Sequence, residues 1–191
     1  QSPDNPGGMQ LTCATLGTFT KYPRASVLTA EPPAGIAFKK FGFYQDDADL
    51  FAEVAGQLGL EPLQPGAWGR HPLAYLVEAA DDICYRIIDV EDAFRLQQLR
   101  FEEVRDLLLP LTGEPERARR KLEHITRPKE RIEYLRAKTI GAIIDQVHQC
   151  FMANEASILA GVLADELLDM IPAAGAMRCL LYTSDAADEE D

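Results

Sequence analysis

Between His71 and Arg95, the apolar residues Leu73, Leu76, Ala80, Ile83, Ile87, Val90 and Phe94 recur at alternating steps of three and four. A strand would need a period of two, so this stretch can bury its apolar side chains together only as a helix of roughly six turns with a single apolar stripe. One helix cannot remove that stripe from water by itself. The rest of the chain must supply partners, and the stripe marks a central, core-packed element.

The surrounding segments also read as helices joined by turns. Met9 to Thr20 predicts a short helix, closed by Lys21-Tyr22-Pro23, because proline disfavours helix in the residue before it. Ala30 to Gly35 (AEPPAG) predicts a loop, and Phe38 to Tyr44 (FKKFGFY) a compact aromatic and basic segment. Asp46, Asp47 and Asp49 load the first turn of a helix running to about Leu58, where Gly59 is placed to stop it. Gln64 to Pro72 predicts a second loop whose last proline opens the central helix. Phe101 to Leu109 predicts a shorter amphipathic helix interrupted at Gly113 and Pro115, followed by a long helix from about Pro128 to Met152 and another to Met170. No alternating strand pattern of useful length and no internal repeat is present, so the fold class is all-α.

Composition limits what such a bundle can do. With 47% hydrophobic and 26% charged residues, the 191-residue chain has the balance of one soluble globular domain. A net charge of -12 argues against bulk electrostatic coating of nucleic acid or anionic lipid, although a local basic patch is compatible with it. Cys13, Cys84, Cys150 and Cys179 form no CxxC pair, which supports neither a zinc knuckle nor a disulfide framework and makes a reducing cytoplasm the default. There is no run of about 18 apolar residues to span a membrane, and QSPDNPGG is not a signal peptide. Gln1 is read as an interior residue of a longer gene. The tail 179–191 (CLLYTSDAADEED) resembles the in-frame translation of a sequencing-library adapter; read instead as a disordered acidic terminus, it would carry no functional weight either.

At about 100° per residue, Glu78, Asp81, Tyr85, Asp89 and Asp92 share one sector of the central helix, roughly opposite the middle of its apolar stripe. Four carboxylates without a lysine or arginine among them repel at spacings of three and four, unless a cation or polar ligand sits there. A solvated acidic face is the plain alternative.

His71 to Asp92, HPLAYLVEAADDICYRIIDVED, resembles the segment of dGTPase-like deoxynucleoside triphosphate triphosphohydrolases that supplies the last ligand of their HD-type metal site. GGMQLTCATLGTFTKYP, FKKFGFY and RIEYLRAKTIGAIID (Arg131 to Asp145) resemble further segments of that family in the same order, so the likeness covers nearly everything from Gly7 to about Met170. The resemblance implies the C-terminal portion of a helical HD-domain bundle over residues 1–178. It also implies hydrolysis of a dNTP, dGTP first, to a deoxynucleoside and tripolyphosphate with a divalent metal, Mg²⁺ or Mn²⁺. By the same resemblance Asp81 is a metal ligand, and Tyr85 and Asp89 contact the sugar and base region. Lys21, Lys40 and Arg136 are chosen as phosphate contacts from the available cations Lys21, Lys39, Lys40, Arg127, Lys129, Arg131, Arg136 and Lys138. Self-association into a homo-oligomer is a further implication.

The sequence departs from that family in one respect. None of its histidines, His71, His124 and His148, is followed by aspartate, so the family's histidine-aspartate pair is absent, and each is read as structural. The isolated chain is therefore expected to have little or no activity and to expose apolar surface. Two other readings stand beside this one: a non-catalytic helical regulatory or nucleic-acid-binding module, and an HD phosphohydrolase acting on another phosphate ester. The run from Glu114 to Lys138 holds nine of the 19 basic residues, which predicts either a solvated helix face or a patch for nucleic acid or an effector nucleotide.

Overall fold

A computed structural model describes residues 9–32 and 34–180. These form two compact units, one of residues up to Glu78 with Asn154–Glu166 and one of Ala79–Ala153 with residues 167–180. Helix dominates both, so the all-α expectation holds.

In the first unit, α1 (Cys13–Phe19) starts at Thr12, whose hydroxyl accepts the Thr15 N–H at 3.2 Å. It packs on α2 (Ala48–Leu58), which a short 3₁₀ turn at Gln45–Asp47 leads into. Gly59 ends α2 with φ 64°, the left-handed conformation that glycine adopts without a Cβ clash. The stretch from Gln64, expected to be a loop, instead begins at the turn of a small antiparallel hairpin of β1 (Pro62–Gln64) and β2 (Ala67–Trp68). The Pro65-Gly66 turn allows it, with Gly66 at φ 81°, and Ala67 is fully buried against Ala37 and Phe38. Phe43 stacks on Phe51 with ring centroids 4.4 Å apart, and Trp68 meets Phe51 edge-on at 5.5 Å; with Ala25 and Ala55 they form a core cluster.

The central helix is α3 (Pro72–Arg95), with Pro72 as its first residue. His71 accepts the Leu73 N–H on Nδ1 at 3.2 Å, satisfying a first-turn donor, and Thr18 Oγ1 lies 3.2 Å from the same nitrogen. Burial pushes the His71 imidazole below its ordinary value, as suits a neutral ring accepting a main-chain hydrogen.

The second unit takes α3 from Ala79 and adds α4 (Phe101–Leu108), α5 (Pro115–Glu123), α6 (Pro128–Ala153) and α8 (Leu167–Met170), with residues 174–180 also helical. Ile132, Leu135, Thr139, Ile143 and Val147 make the buried face of α6. Thr139 donates its hydroxyl to the Leu108 carbonyl at 3.2 Å, tying the long helix to the end of α4.

Two expectations need correction. Pro115 does not merely interrupt a helix but starts one, α5, since a proline at the first helical position lacks only a donor that would have no partner there. The helix expected to run on to Met170 is broken: α7 (Glu155–Leu159) stops before Gly161, which at φ 69° comes so close to Gly69 that a Cβ on it would lie 3.0 Å from the Gly69 Cα. Residues 181–191 of the adapter-like tail lie outside the described residues, and Leu180 is buried.

Candidate functional site

Helix α3 carries the residues of interest, and its burial pattern rotates along its length. Ile83, Ile87 and Val90 are buried as the stripe predicts, whereas Leu73 and Ala80 are exposed and the first turns bury Ala74, Tyr75, Glu78 and Ala79 instead. The reason is an ion-pair network in the first unit. Arg70, with only 1% of its surface exposed, donates Nη1 to Glu78 Oε2 at 2.5 Å and Nε to the Lys21 carbonyl at 2.8 Å. Its guanidinium lies over the Tyr75 ring at 4.8 Å, and the Tyr75 hydroxyl donates to the Leu163 carbonyl at 2.9 Å. A buried carboxylate is tolerated only with partners of this kind.

Glu78 therefore does not belong to the solvated acidic sector, contrary to the periodicity reading. Its second oxygen holds the Lys21 ammonium at 2.8 Å. Partial burial, the largest single influence, pulls the Lys21 amine down, but the hydrogen bond and charge of Glu78 outweigh it and leave the amine above its ordinary 10.5. Lys40, in the same unit, is exposed with no partner among the described residues.

Asp81, Tyr85 and Asp89 lie one turn apart along α3 in the second unit, each step rising about 6 Å. Asp81 is exposed with no ion pair or hydrogen bond among the described residues, Tyr85 is 59% exposed, and Asp89 is half-buried. The Tyr85 ring stands between the two carboxylates with more than half of its surface open to solvent. The backbone beneath is held rigidly by Ile83, Ile87 and Val90, so the line is preorganised.

Arg136 comes from the N-terminal half of α6 and forms an ion pair with Glu91 of α3, which Arg95 also holds at 2.6 Å. Glu91 is buried, and periodicity gave one usable hint of it: the residue falls four after Ile87, on the apolar flank. Asp92 is half-buried and pairs with Arg95 at 3.3 Å. The other candidate cations disperse. Arg127, just before α6, pairs with Glu130, and Lys129 with Glu133 on the helix itself, while Arg131 donates to the Ile125 carbonyl and lies over the Phe101 ring. Lys138 is exposed and faces α5.

Among the described residues no group of three or more His, Cys, Asp or Glu side chains converges, so Asp81 offers one oxygen ligand and these residues alone do not hold a metal. No helix among them is long and apolar enough to cross a membrane.

No protein-family model matches the chain. Among curated proteins, a deoxyguanosinetriphosphate triphosphohydrolase-like protein of Synechocystis is 42% identical over 173 residues, covering 88% of this chain and 38% of the relative. One so named in Pseudomonas aeruginosa is 38% identical over 167 residues, 85% of this chain and 37% of its own. A deoxyguanosinetriphosphate triphosphohydrolase of Enterobacter is 29% identical over 177 residues, 84% of this chain and 34% of its own. The chain thus spans between 34% and 38% of the length of these relatives.

Proposed function

Since the chain belongs to the deoxyguanosinetriphosphate triphosphohydrolase-like family, we propose that it forms the nucleotide-gripping part of an enzyme that hydrolyses a dNTP, dGTP first, to a deoxynucleoside and tripolyphosphate. The observation that carries this reading is the line Asp81, Tyr85, Asp89 at four-residue steps, with Asp81 and Tyr85 exposed and Asp89 half-buried, on a helix that buries Ile83, Ile87 and Val90. Asp81 is the ligand that the described residues supply to a Mg²⁺ or Mn²⁺ ion, and the remaining ligands come from elsewhere in the protein. No hydrolytic step is assigned to the described residues, because they do not complete that site.

This chain's own contribution is binding and selection. The Tyr85 ring stacks on the deoxyribose and leaves no space for a 2′-hydroxyl, and Asp89 accepts hydrogen bonds from the nucleotide. Lys40 offers phosphate an uncompensated charge. Lys21 and Arg136 act as phosphate contacts with Glu78 and Glu91 still attached, which orients them at the expense of net charge. The protein is expected in the cytoplasm and as a homo-oligomer.

The test uses the full-length parent enzyme. Asp81→Asn should abolish metal-dependent release of tripolyphosphate from dGTP with helical circular dichroism unchanged, and Tyr85→Ala should raise turnover of GTP relative to dGTP. Wild-type turnover by Asp81→Asn would sink the ligand assignment. Absence of any dNTP hydrolysis in the unmutated parent would favour the non-catalytic binding module.

A further inference from the structure

The loop after α1 carries Lys21, whose side chain is 37% exposed, and two enclosed side chains hold it at both ends. Arg70 donates Nε to the Lys21 main-chain carbonyl at 2.8 Å and Nη1 to Glu78 Oε2 at 2.5 Å. The other Glu78 oxygen, Oε1, lies 2.8 Å from the Lys21 ammonium. The three residues thus close a ring, in which Arg70 grips the backbone of residue 21 directly and its charged end through Glu78. All of them lie in the first unit, and the Arg70 and Glu78 side chains are buried.

Neutralising Glu78 does not require this ring. An arginine can meet both oxygens of a carboxylate at once, yet Arg70 meets only Oε2, and its Nη2 has no hydrogen-bond partner among the described residues. Oε1 is left to Lys21. Nor is the network needed to fill the core, since apolar side chains in place of a buried ion pair are often neutral or stabilising. Arg70 is itself immobilised: its guanidinium lies 4.8 Å from the centre of the Tyr75 ring, and the Tyr75 hydroxyl is anchored on the Leu163 carbonyl at 2.9 Å. The backbone beside Lys21 is held as closely. A Cβ on Gly42 would stand 2.2 Å from the Tyr22 carbonyl oxygen, which leaves no room for a side chain there.

We propose that Arg70 and Glu78 are positioning residues for substrate binding, which hold the Lys21 ammonium in place for the phosphates of the nucleotide. The inference rests on the reading of Lys21 as a phosphate contact. A free lysine stem gives up rotamer freedom when it binds, whereas one already held by a fixed carboxylate gives up less. An ammonium carries three N–H donors, so the pair with Glu78 leaves donors for a phosphate. Glu78 also withdraws charge from the site, and the inference is that orientation outweighs that loss.

The experiment is a double-variant cycle in the full-length parent enzyme, read as kcat and KM for dGTP and, with EDTA in place of metal, as calorimetric dGTP binding. Lys21→Ala should raise KM about tenfold with kcat little changed, the scale of one charge-assisted hydrogen bond made equally to substrate and transition state. Glu78→Gln keeps an acceptor for Arg70 but releases Lys21, and should raise KM about fivefold, part of the same loss. In the Lys21→Ala background the same change should raise KM less than about twofold, because no ammonium remains to be positioned. Arg70→Met combined with Glu78→Leu replaces the network by an apolar pair; it should fold, by circular dichroism and thermal melting, and still show the raised KM.

A lower kcat at unchanged KM in Glu78→Gln would mean loss of folded enzyme and not of position, and equal effects in both backgrounds would separate Glu78 from Lys21. A lower KM would mean that Glu78 only withholds charge, and a wild-type KM in the folded apolar pair would mean that Lys21 needs no holding. Each of these overturns the inference and leaves hydrolysis standing. So does Lys21→Ala with unchanged KM and dGTP binding, which removes the contact itself. A parent that binds dGTP with the expected pattern of losses but does not hydrolyse it would instead end the hydrolase reading and support the positioning role, and one that binds no dGTP would overturn both.

Discussion

At the residue scale, this protein depends on which carboxylates are inside. Glu78 and Asp81 are three positions apart on one helix, yet Glu78 is buried between Arg70 and Lys21 and Asp81 is open. Removing Arg70 leaves a buried carboxylate with only the partly exposed Lys21 to balance it. Arg70→Met should therefore cost about 3 kcal/mol, the low end for breaking a buried pair, read as a lower urea midpoint with an unchanged slope. Adding Glu78→Leu should recover much of that loss, because an apolar pair no longer carries the desolvation cost. A double variant as unstable as the single one would mean that Arg70 acts through its contact with Tyr75 and the Lys21 carbonyl. Neither Arg70 nor the burial of Glu78 was legible in the sequence, since helical periodicity fixes an angle about the axis and not what stands opposite.

Among the elements, α6 is the one on which the second unit depends most. Its buried residues Ile132, Leu135, Thr139, Ile143 and Val147 follow the three-and-four rule, and Leu135 is fully buried. Leu135→Ala should destabilise by about 2–5 kcal/mol through lost transfer energy and an unfilled cavity, whereas Gly59→Ala, with open space around it but φ 64°, should cost about 1 kcal/mol. Thermal melts of the two variants check the order, and a larger loss at Gly59 would contradict it. Helix limits set by local chemistry were readable: Gly59 ending α2, Pro72 opening α3 and Pro128 opening α6. The hairpin at β1 and β2 and the break at Gly161 were not, because the first is only a few residues long and the second follows from a close approach to Gly69.

For the molecule as a whole, acidity and exposed apolar side chains oppose each other. Phe19, Val27, Leu96, Leu159 and Val162 are each at least 64% exposed, and the net charge is -12. Repulsion between copies of the chain weakens as salt rises, since the screening length falls from about 10 Å at 0.1 M to about 3 Å at 1 M. Sedimentation velocity of the chain should therefore show association that grows with protein concentration and with salt. A single 21.2 kDa species under all of these conditions would count against open apolar surfaces.

The sequence by itself determined what depends on neighbours along the chain: the helical class, the caps and proline starts, and the line Asp81, Tyr85, Asp89, which four-residue spacing places on one side of any α-helix. Tertiary structure alone decided the electrostatics. Glu78 is matched by a lysine 57 positions before it, and Glu91 by an arginine 45 positions after it. Arg136 and Lys138, two residues apart, face a carboxylate and a hollow lined by Arg117, Arg120 and Lys121 respectively. The energy of a charge is set by the dielectric and the counter-charge around it, and both are supplied by residues that meet only once the chain has folded.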